Sequence, residues 1–153
     1  MNTYEITDGD ALVSDDKARL DHALIHGFLS RESYWAKGVS METVERSIEH
    51  SLCFGIDKAG RQAGFARVVT DFATFAWLAD VFIVEEWRGE GLGKKLVGGV
   101  LGHPRLQGLR RFLLGTRDAH KLYEQFGFTP LEYPERFMEI QPANSYKCGG
   151  RSA

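Results

Sequence analysis

The chain has little of what several specialised classes of protein require. Two cysteines and four prolines in 153 residues provide neither a disulfide framework nor a proline-rich linker. A net charge of −2 leaves no basic surface for nucleic acid, so DNA or RNA binding is not expected. No segment approaches the ~18 uncharged apolar residues of a membrane span, and the first residues lack the pattern of a signal peptide. We therefore expect a cytoplasmic protein with no membrane or nucleic-acid partner.

Metal-binding patterns are also missing. His22 and His26 are four residues apart, but the glutamate of a metalloprotease helix does not lie between them. Cys53 enters an apolar run and Cys148 lies in a Gly/Ser-rich end segment, so both are expected to be reduced thiols. No metal site is predicted.

The composition that is present fits one globular domain. Hydrophobic residues make up 43% of the chain and charged residues 26%, which is ordinary for a globular protein. The length is enough for one full core and short for two typical domains. We predict a single domain over residues 1–141 and a flexible end segment over 142–153.

Residues 88–95, Arg-Gly-Glu-Gly-Leu-Gly-Lys-Lys, are the most informative stretch. An apolar run precedes them, and Leu92, Leu96 and Val100 follow at helical spacing, so the pattern predicts a strand, a glycine-rich turn and a helix. Such a turn brings free backbone N–H groups and the positive end of a helix dipole together. Arg88 and Lys94 add positive charge. The stretch therefore predicts an anion site suited to a phosphate-bearing cofactor.

The spacing of the glycines excludes two familiar phosphate loops. A P-loop requires a glycine where Arg88 stands and a serine or threonine where Lys95 stands. The dinucleotide pattern Gly-x-Gly-x-x-Gly places its third glycine on Lys94 or Leu96. What remains is Arg-x-x-Gly-x-Gly, which begins at Arg88.

The apolar periodicity predicts alternating strands and helices in an α+β chain. Short turns between residues 52 and 84 indicate a meander of antiparallel strands. The predicted strands are Tyr4–Ile6, Leu52–Ile56, Gln62–Val69, Phe75–Val84, Arg111–Gly115 and Arg136–Ile140. The first predicted helix starts near Asp16, capped by Ser14 or Asp15, and the second starts at Ser40. The third follows the glycine-rich turn and ends at Gly102. The fourth spans Asp118–Phe126 and is capped by Thr116 or Asp118. We expect a central, mostly antiparallel sheet of six to seven strands, one strand–helix–strand crossover, and helices on both faces.

A second motif occupies residues 119–128, Ala-His-Lys-Leu-Tyr-Glu-Gln-Phe-Gly-Phe. Its pattern is a short amphipathic helix with Leu122 and Phe126 inward and Gly127 at the exit. Together with the Arg-x-x-Gly-x-Gly motif, in this order and separation, it resembles the GNAT superfamily of acyl-CoA N-acyltransferases. The resemblance covers about residues 4–140. It implies a GNAT-like fold and an N-acetyltransferase that moves an acetyl group from acetyl-CoA to a primary amine by direct attack in a ternary complex.

The resemblance also implies where acetyl-CoA binds. The pyrophosphate would bind the N–H groups of the glycine-rich turn, which glycine lets approach closely. The pantetheine arm would pair with the strand around residues 81–84, which splays from the Arg111–Gly115 strand, and an N–H near Phe82 or Ile83 would hold the developing oxyanion. The expected cofactor contacts are Phe82, Ile83, Val84, Arg88, Gly89, Glu90, Gly91, Leu92, Gly93 and Lys94.

Two residues are the catalytic candidates. By the resemblance, Tyr123 protonates or hydrogen-bonds to the departing thiolate. Asp80 interrupts an apolar strand, and it is either the general base or a structural carboxylate that holds a backbone amide or an arginine. His120 and an ordered water are the alternative bases, while Asp118 is expected to be a helix cap.

The resemblance also implies that the first two helices and their connection cover the acceptor site. Phe28, Tyr34, Trp35 and Trp77 are its wall candidates, with core packing as the alternative, and an aromatic wall can attract a cationic amine. The acceptor would be a small-molecule or peptide amine. The resemblance further suggests a homodimer. The competing functions are a catalytically idle CoA-binding or sensory module, and a transferase for another acyl chain or an O-acceptor.

Overall fold

The computed structural model describes residues 2–142, which form a six-stranded sheet in the order β1-β2-β3-β4-β5-β6. The strands are β1 Glu5–Asp8, β2 Ala11–Ser14, β3 Leu52–Lys58, β4 Arg61–Thr70, β5 Phe75–Ile83 and β6 Arg111–Leu114. The helices are α1 His22–Gly27, α2 Met41–Glu49, α3 Leu92–Leu101 and α4 His120–Glu124, and a π-helix, Phe28–Glu32, continues α1.

The sheet is antiparallel except at one edge. Strands β1 to β5 pair antiparallel in sequence order, and β6 pairs parallel with β5. Helix α3 connects those two strands, because parallel neighbours need a crossover. The predicted α+β class, meander and strand–helix–strand crossover are confirmed.

Helices cover both faces of the sheet, as predicted. On one face α3 packs against Phe54 and Ile56, and on the other α1 and α2 pack against Cys53 and Phe65. Neighbours such as Cys53 and Phe54 fall in different clusters because successive side chains of a strand point to opposite faces. Helix α2 begins as predicted, since the Ser40 hydroxyl accepts the N–H of Thr43.

The predicted start of the first helix is wrong. A hairpin turn at Gly9, with φ of 64°, returns the chain as β2, so Ser14 lies in a strand and its hydroxyl donates to Glu5. Asp15 accepts the backbone N–H of Tyr4 instead of capping a helix. The helix starts only at His22, where Asp21 caps it by accepting the N–H of Leu24.

The predicted last strand is also wrong. Residues 134–136 form a turn of 3-10 helix, and residues 137–140 join no strand of the described sheet. Met138 and Ile140 are 98% and 93% exposed. Among the described residues these apolar side chains therefore belong to no hydrogen-bonded strand pair. A strand needs such a partner as well as apolar residues. Of the predicted end segment, only Pro142 falls within the described residues.

Candidate active site

A bulge in β5 sets the position of Asp80. The register between β4 and β5 passes from Phe65 opposite Phe82 to Arg67 opposite Ala79. Three steps on β5 thus match two on β4, which is the signature of a bulge. Asp80 lies in it with φ of 55°, a left-handed conformation that aspartate tolerates better than most residues. Such conformations occur preferentially at functional sites.

Both oxygens of Asp80 accept a hydrogen bond. The Arg67 Nε lies 2.8 Å from Oδ2, and the Trp35 Nε1 lies 2.8 Å from Oδ1. Arg67 also donates through Nη1 to the Ser51 hydroxyl at 3.1 Å. The side chains of Asp80 and Arg67 are only 11% and 19% exposed. Asp80 therefore holds an arginine, and each oxygen keeps a second lone pair for another donor.

A cavity of about 370 Å³ brings most of the predicted side chains together. It lies between α2, the loop of residues 33–39, the middle of β5 and the segment of residues 115–123. The predicted residues that line it are Tyr34, Trp35, Trp77, Asp80 and Tyr123. A volume of this size is typical of small-molecule sites.

Two candidates from the sequence lie away from this cavity. Phe28 is buried and stacks on Phe82, with ring centroids 4.0 Å apart and planes 7° from parallel. It belongs to the core beneath the cavity wall, which is the packing alternative given above. His120 is exposed on α4 and faces a neighbouring cavity.

Tyr123 lies between two cavities. It lines the 370 Å³ cavity and also one of about 320 Å³ on the side of β6. Burial first, and then Tyr34, raises the pKa of Tyr123 to about 12. The phenol therefore stays protonated at neutral pH and can donate. Its helix is shorter than predicted, and the Thr116 hydroxyl, not Asp118, accepts the N–H of Ala119 at its start.

Beyond Leu78, no strand in the described part of the chain pairs with β5 on its β6 side. The parallel pairing ends at Leu78 opposite Leu114, while β5 continues to Ile83. This gap is the predicted splay. The Val84 N–H donates to Ala63 of the other neighbour. Because N–H groups alternate in direction along a strand, the Ile83 N–H faces the gap, and the Ile83 carbonyl accepts the Arg88 Nε at 2.9 Å.

The glycine-rich turn ends in an uncapped helix N-terminus. Gly91 is the N-cap residue of α3, with φ of 79°, and no side chain in the described part of the chain caps the helix. The first helical hydrogen bond is donated by Lys95 to Gly91. The N–H groups of Leu92, Gly93 and Lys94 therefore have no intrahelical acceptor, and they are open to an anion.

Comparison with known proteins agrees with this geometry. Residues 23–128 match the acetyltransferase (GNAT) family. The chain belongs to the GNAT acetyltransferase family. A Gibberella zeae protein provisionally described as an acetyltransferase is 31% identical over 139 residues, covering 76% of this chain and 77% of that protein.

Two solved acetyltransferase structures resemble the chain, one at high and one at low sequence identity. A protein of Xanthomonas campestris pv. campestris, provisionally assigned to the same family, is 51% identical, with a TM-score of 0.86, and the match covers 89% of this chain and 96% of that one. A predicted acetyltransferase from Clostridium acetobutylicum, solved with acetyl-CoA, is 10% identical, with a TM-score of 0.60 over 80% of this chain and 92% of that one. The second likeness concerns the GNAT fold alone.

Arg67 lines the cavity and pairs with Asp80, and sequence reasoning did not single it out. It is a lone charge in the apolar run of β4, and so is Asp80 in β5. Two such interruptions in consecutive hairpin strands were the available signal for a cross-strand ion pair. No group of residues in the described ranges could hold a metal ion, and no helix there is long and apolar enough to span a membrane.

Proposed function

We propose that this GNAT-family protein transfers an acetyl group from acetyl-CoA to a primary amine by direct attack within a ternary complex. The observation that carries the proposal is the convergence of three features. The open edge of β5 comes before the uncapped turn at Gly91 in the chain. The middle of β5 lines the cavity that also holds Tyr123 and Asp80. A protein of the same fold was solved with acetyl-CoA.

The glycine-rich turn binds the pyrophosphate of the donor. Free N–H groups at Leu92, Gly93 and Lys94 donate to its oxygens, and the helix dipole favours its charge. Arg88 is fixed beside them by its hydrogen bond to Ile83. The Glu90 side chain lies 3.5 Å from Lys58, so its carboxylate is drawn away from the turn.

The open edge of β5 positions the thioester. The pantetheine arm occupies the gap left by β6, where β5 backbone groups can pair with its amides as an added strand would. The Ile83 N–H donates to the thioester oxygen as negative charge develops on it. A donor of this kind contributes about 3 kcal/mol to the stability of the transition state.

Proton transfer involves the two sides of the cavity. Asp80, or a water that it holds, removes a proton from the ammonium of the acceptor. The amine nitrogen then bonds to the acyl carbon and gives up its second proton, the carbon–sulfur bond breaks, and sulfur leaves with the electron pair and ends as the thiol with that proton. Tyr123 donates a hydrogen bond to that sulfur, or relays to it the second proton lost by the nitrogen; with a pKa raised to about 12 by burial, its phenol is protonated before and after the step.

Binding and turnover test the proposal separately. We expect acetyl-CoA to bind in calorimetry, and a panel of primary amines to release free thiol, with the acetylated amine identified by mass spectrometry. Binding without thiol release from any amine would indicate the idle CoA-binding module instead. Release with longer acyl donors only, or with alcohol acceptors only, would correct the donor or the acceptor class.

A further inference from the structure

Arg67 presents an unused pair of donors to the acceptor cavity. Its Nε and Nη1 donate to Asp80 and Ser51, whereas Nη2 has no hydrogen-bond partner among the described residues. No buried side-chain nitrogen or oxygen there lacks a partner, so Nη2 is accessible. Since Arg67 lines the cavity, these donors face the space that the acceptor occupies.

Two opposite charges lie side by side in the wall of this cavity. Arg67 and Asp80 lie side by side, with 2.8 Å between Nε and Oδ2, so the wall presents one cation and one anion at close range. A simple amine would match the carboxylate and leave Nη2 of the guanidinium without an acceptor. An acceptor with a carboxylate next to its amine matches both, because guanidinium groups bind carboxylates through directed N–H pairs.

The other charged side chains near the cavity form an ion pair with each other at its rim. Asp118 lines the cavity, and its carboxylate lies 3.6 Å from the Arg117 Nη2, with both side chains more than 60% exposed. The Arg117 guanidinium also stacks over the Tyr34 ring, 3.8 Å from its centroid. Within the described residues, Arg67 is therefore the cation of the cavity lining, and its Nη2 is open to an acidic group although Nε is paired with Asp80.

The rest of the lining suits an amino-acid skeleton. Hydroxyl groups of Thr43 and Ser47 border the α2 side, and the Trp35 and Trp77 rings border the outer side. We propose that the acceptor is an amino acid or a close analogue whose amine lies at Asp80 and whose carboxylate binds Nη2 of Arg67. This assignment depends on the proposed acetyl transfer and specifies its substrate class.

Matched acceptors test the assignment in the intact protein. Phenylalanine, phenylalaninamide and phenethylamine share one side chain and differ in the carboxylate, and leucine, leucinamide and isoamylamine form a second set. Wild-type kcat/KM is expected to favour the amino acid over both partners by about 10–100-fold, the range of hydrogen bonds to charged groups. The Arg67→Gln variant should bring this ratio towards one, and Arg67→Lys should restore part of it.

The ratio separates recognition from damage. Any effect of Arg67→Gln transmitted through Asp80 acts on every acceptor alike, so it cancels in the ratio. The rim variant Arg117→Gln is the control and should leave the ratio unchanged. If Arg67→Gln does not fold, judged by its melting temperature and acetyl-CoA affinity, the wild-type ratio and the Arg67→Lys variant decide.

Two results would overturn the assignment. A wild-type protein that acetylates amines with a ratio near or below one, or whose ratio depends on Arg117 instead of Arg67, leaves acetyl transfer intact and removes the amino-acid class. A protein that binds acetyl-CoA and acetylates no member of either set contradicts the class as well, and a broader amine panel then tells whether acetyl transfer itself fails.

Discussion

At the scale of single residues, Tyr123 is the candidate hydrogen-bond donor to the departing sulfur. It is 8% exposed and lies between the acceptor cavity and the β6 cavity. We predict that Tyr123→Phe lowers kcat about tenfold or more, because the departing thiolate loses its donor. A thiol pKa near ~8.5 makes sulfur a fair leaving group, so some activity should remain. Steady-state kinetics with saturating acetyl-CoA measures the change.

The acetyl-CoA affinity of Tyr123→Phe should stay close to that of the wild type, because the ring remains and the pyrophosphate site is on α3. Tyr133→Phe is a suitable control, since Tyr133 lies outside both of those cavities and its loss of a hydroxyl should not affect kcat. Equal turnover in wild type and Tyr123→Phe, with an identified acceptor, would remove Tyr123 from the mechanism.

The raised pKa of Tyr123 has a consequence for stability at high pH. An unfolded tyrosine ionises near pH 10, whereas burial holds the pKa of Tyr123 at about 12 in the folded chain. Below pH 10 both states keep the proton and this residue adds no pH dependence. Between pH 10 and 12 the unfolded state loses the proton first, so the free energy of unfolding falls, by about 2 kcal/mol at pH 12.

Urea unfolding between pH 9 and 11.5 measures this fall. It should be smaller in Tyr123→Phe than in the wild type. Part of it should remain, because burial and then Asp15 also raise the pKa of Tyr4. Identical slopes in the two proteins would mean that Tyr123 is exposed to solvent in the folded state.

Sequence reasoning named several of the side chains that the fold brings to one cavity, and their roles there stay predictions. Tyr123, Trp35 and Asp80 reach one cavity because each belongs to an element whose type was predicted. The Arg67–Asp80 pair was missed because it depends on the register of β4 against β5, which a bulge changes. Periodicity places residues on a face, but it does not locate a bulge.

At the scale of elements, the turn before α3 provides two glycines with different roles. Gly91 has φ of 79° and open space where a methyl group would lie, so a side chain there costs only backbone strain. We predict that Gly91→Ala lowers the free energy of unfolding by about 1 kcal/mol and weakens acetyl-CoA binding. Gly93 has ordinary φ, and a methyl group there would lie 3.9 Å from Ile83 and Leu122. Gly93→Ala should leave stability unchanged and still weaken acetyl-CoA binding, because the pyrophosphate approaches that backbone.

Gly108→Ala is the matched control for Gly91→Ala. Gly108 also has a positive φ, 74°, and open space around it, but it lies in the loop before β6. It should lose similar stability and keep its acetyl-CoA affinity. Chemical denaturation and calorimetry on the three variants separate the effects. Full affinity in Gly93→Ala would place the pyrophosphate elsewhere.

Elements were predicted best where local signals and pairing agree. Ser40 caps α2 because its hydroxyl bonds within the next turn, which the sequence alone determines. Strand β2 was missed because it is only four residues long and ends in Ser14, a good helix cap, and the hairpin with β1 is what makes it a strand. Residues 137–140 are rich in apolar side chains, which is why a strand was predicted there. They are exposed because no strand of the described sheet pairs with them.

At the scale of the whole molecule, the two faces of the sheet have separate tasks. In the proposed function, the N-terminus of α3 on one face binds the pyrophosphate, and the cavity that takes the acceptor is lined by residues of the α1–α2 cluster together with Leu78 and Tyr123 of the α3 cluster. Strand β5 belongs to both, since its edge leads from the turn at Gly91 to Asp80. Changes at the far end of α3 should therefore affect stability and not chemistry.

Tyr4 provides the test of that separation. Its hydroxyl donates to the Gly99 carbonyl at 2.7 Å, one of the last-turn carbonyls of α3 that lack a helical partner. Its backbone N–H donates to Asp15, whose other oxygen lies 2.9 Å from the His103 Nε2. Tyr4→Phe keeps the ring and the N–H and removes one hydrogen bond, so we predict a loss of about 1 kcal/mol in the free energy of unfolding.

The same variant should leave kcat and the acetyl-CoA affinity unchanged, because the hydrogen bond lies at the C-terminal end of α3 and the donor binds at the other end. Urea unfolding at pH 7 and steady-state kinetics on one preparation measure both. A variant of unchanged stability that binds acetyl-CoA several-fold more weakly would show the opposite: the two ends of α3 would be coupled, and the N-terminal hairpin would help to set the geometry of the pyrophosphate site.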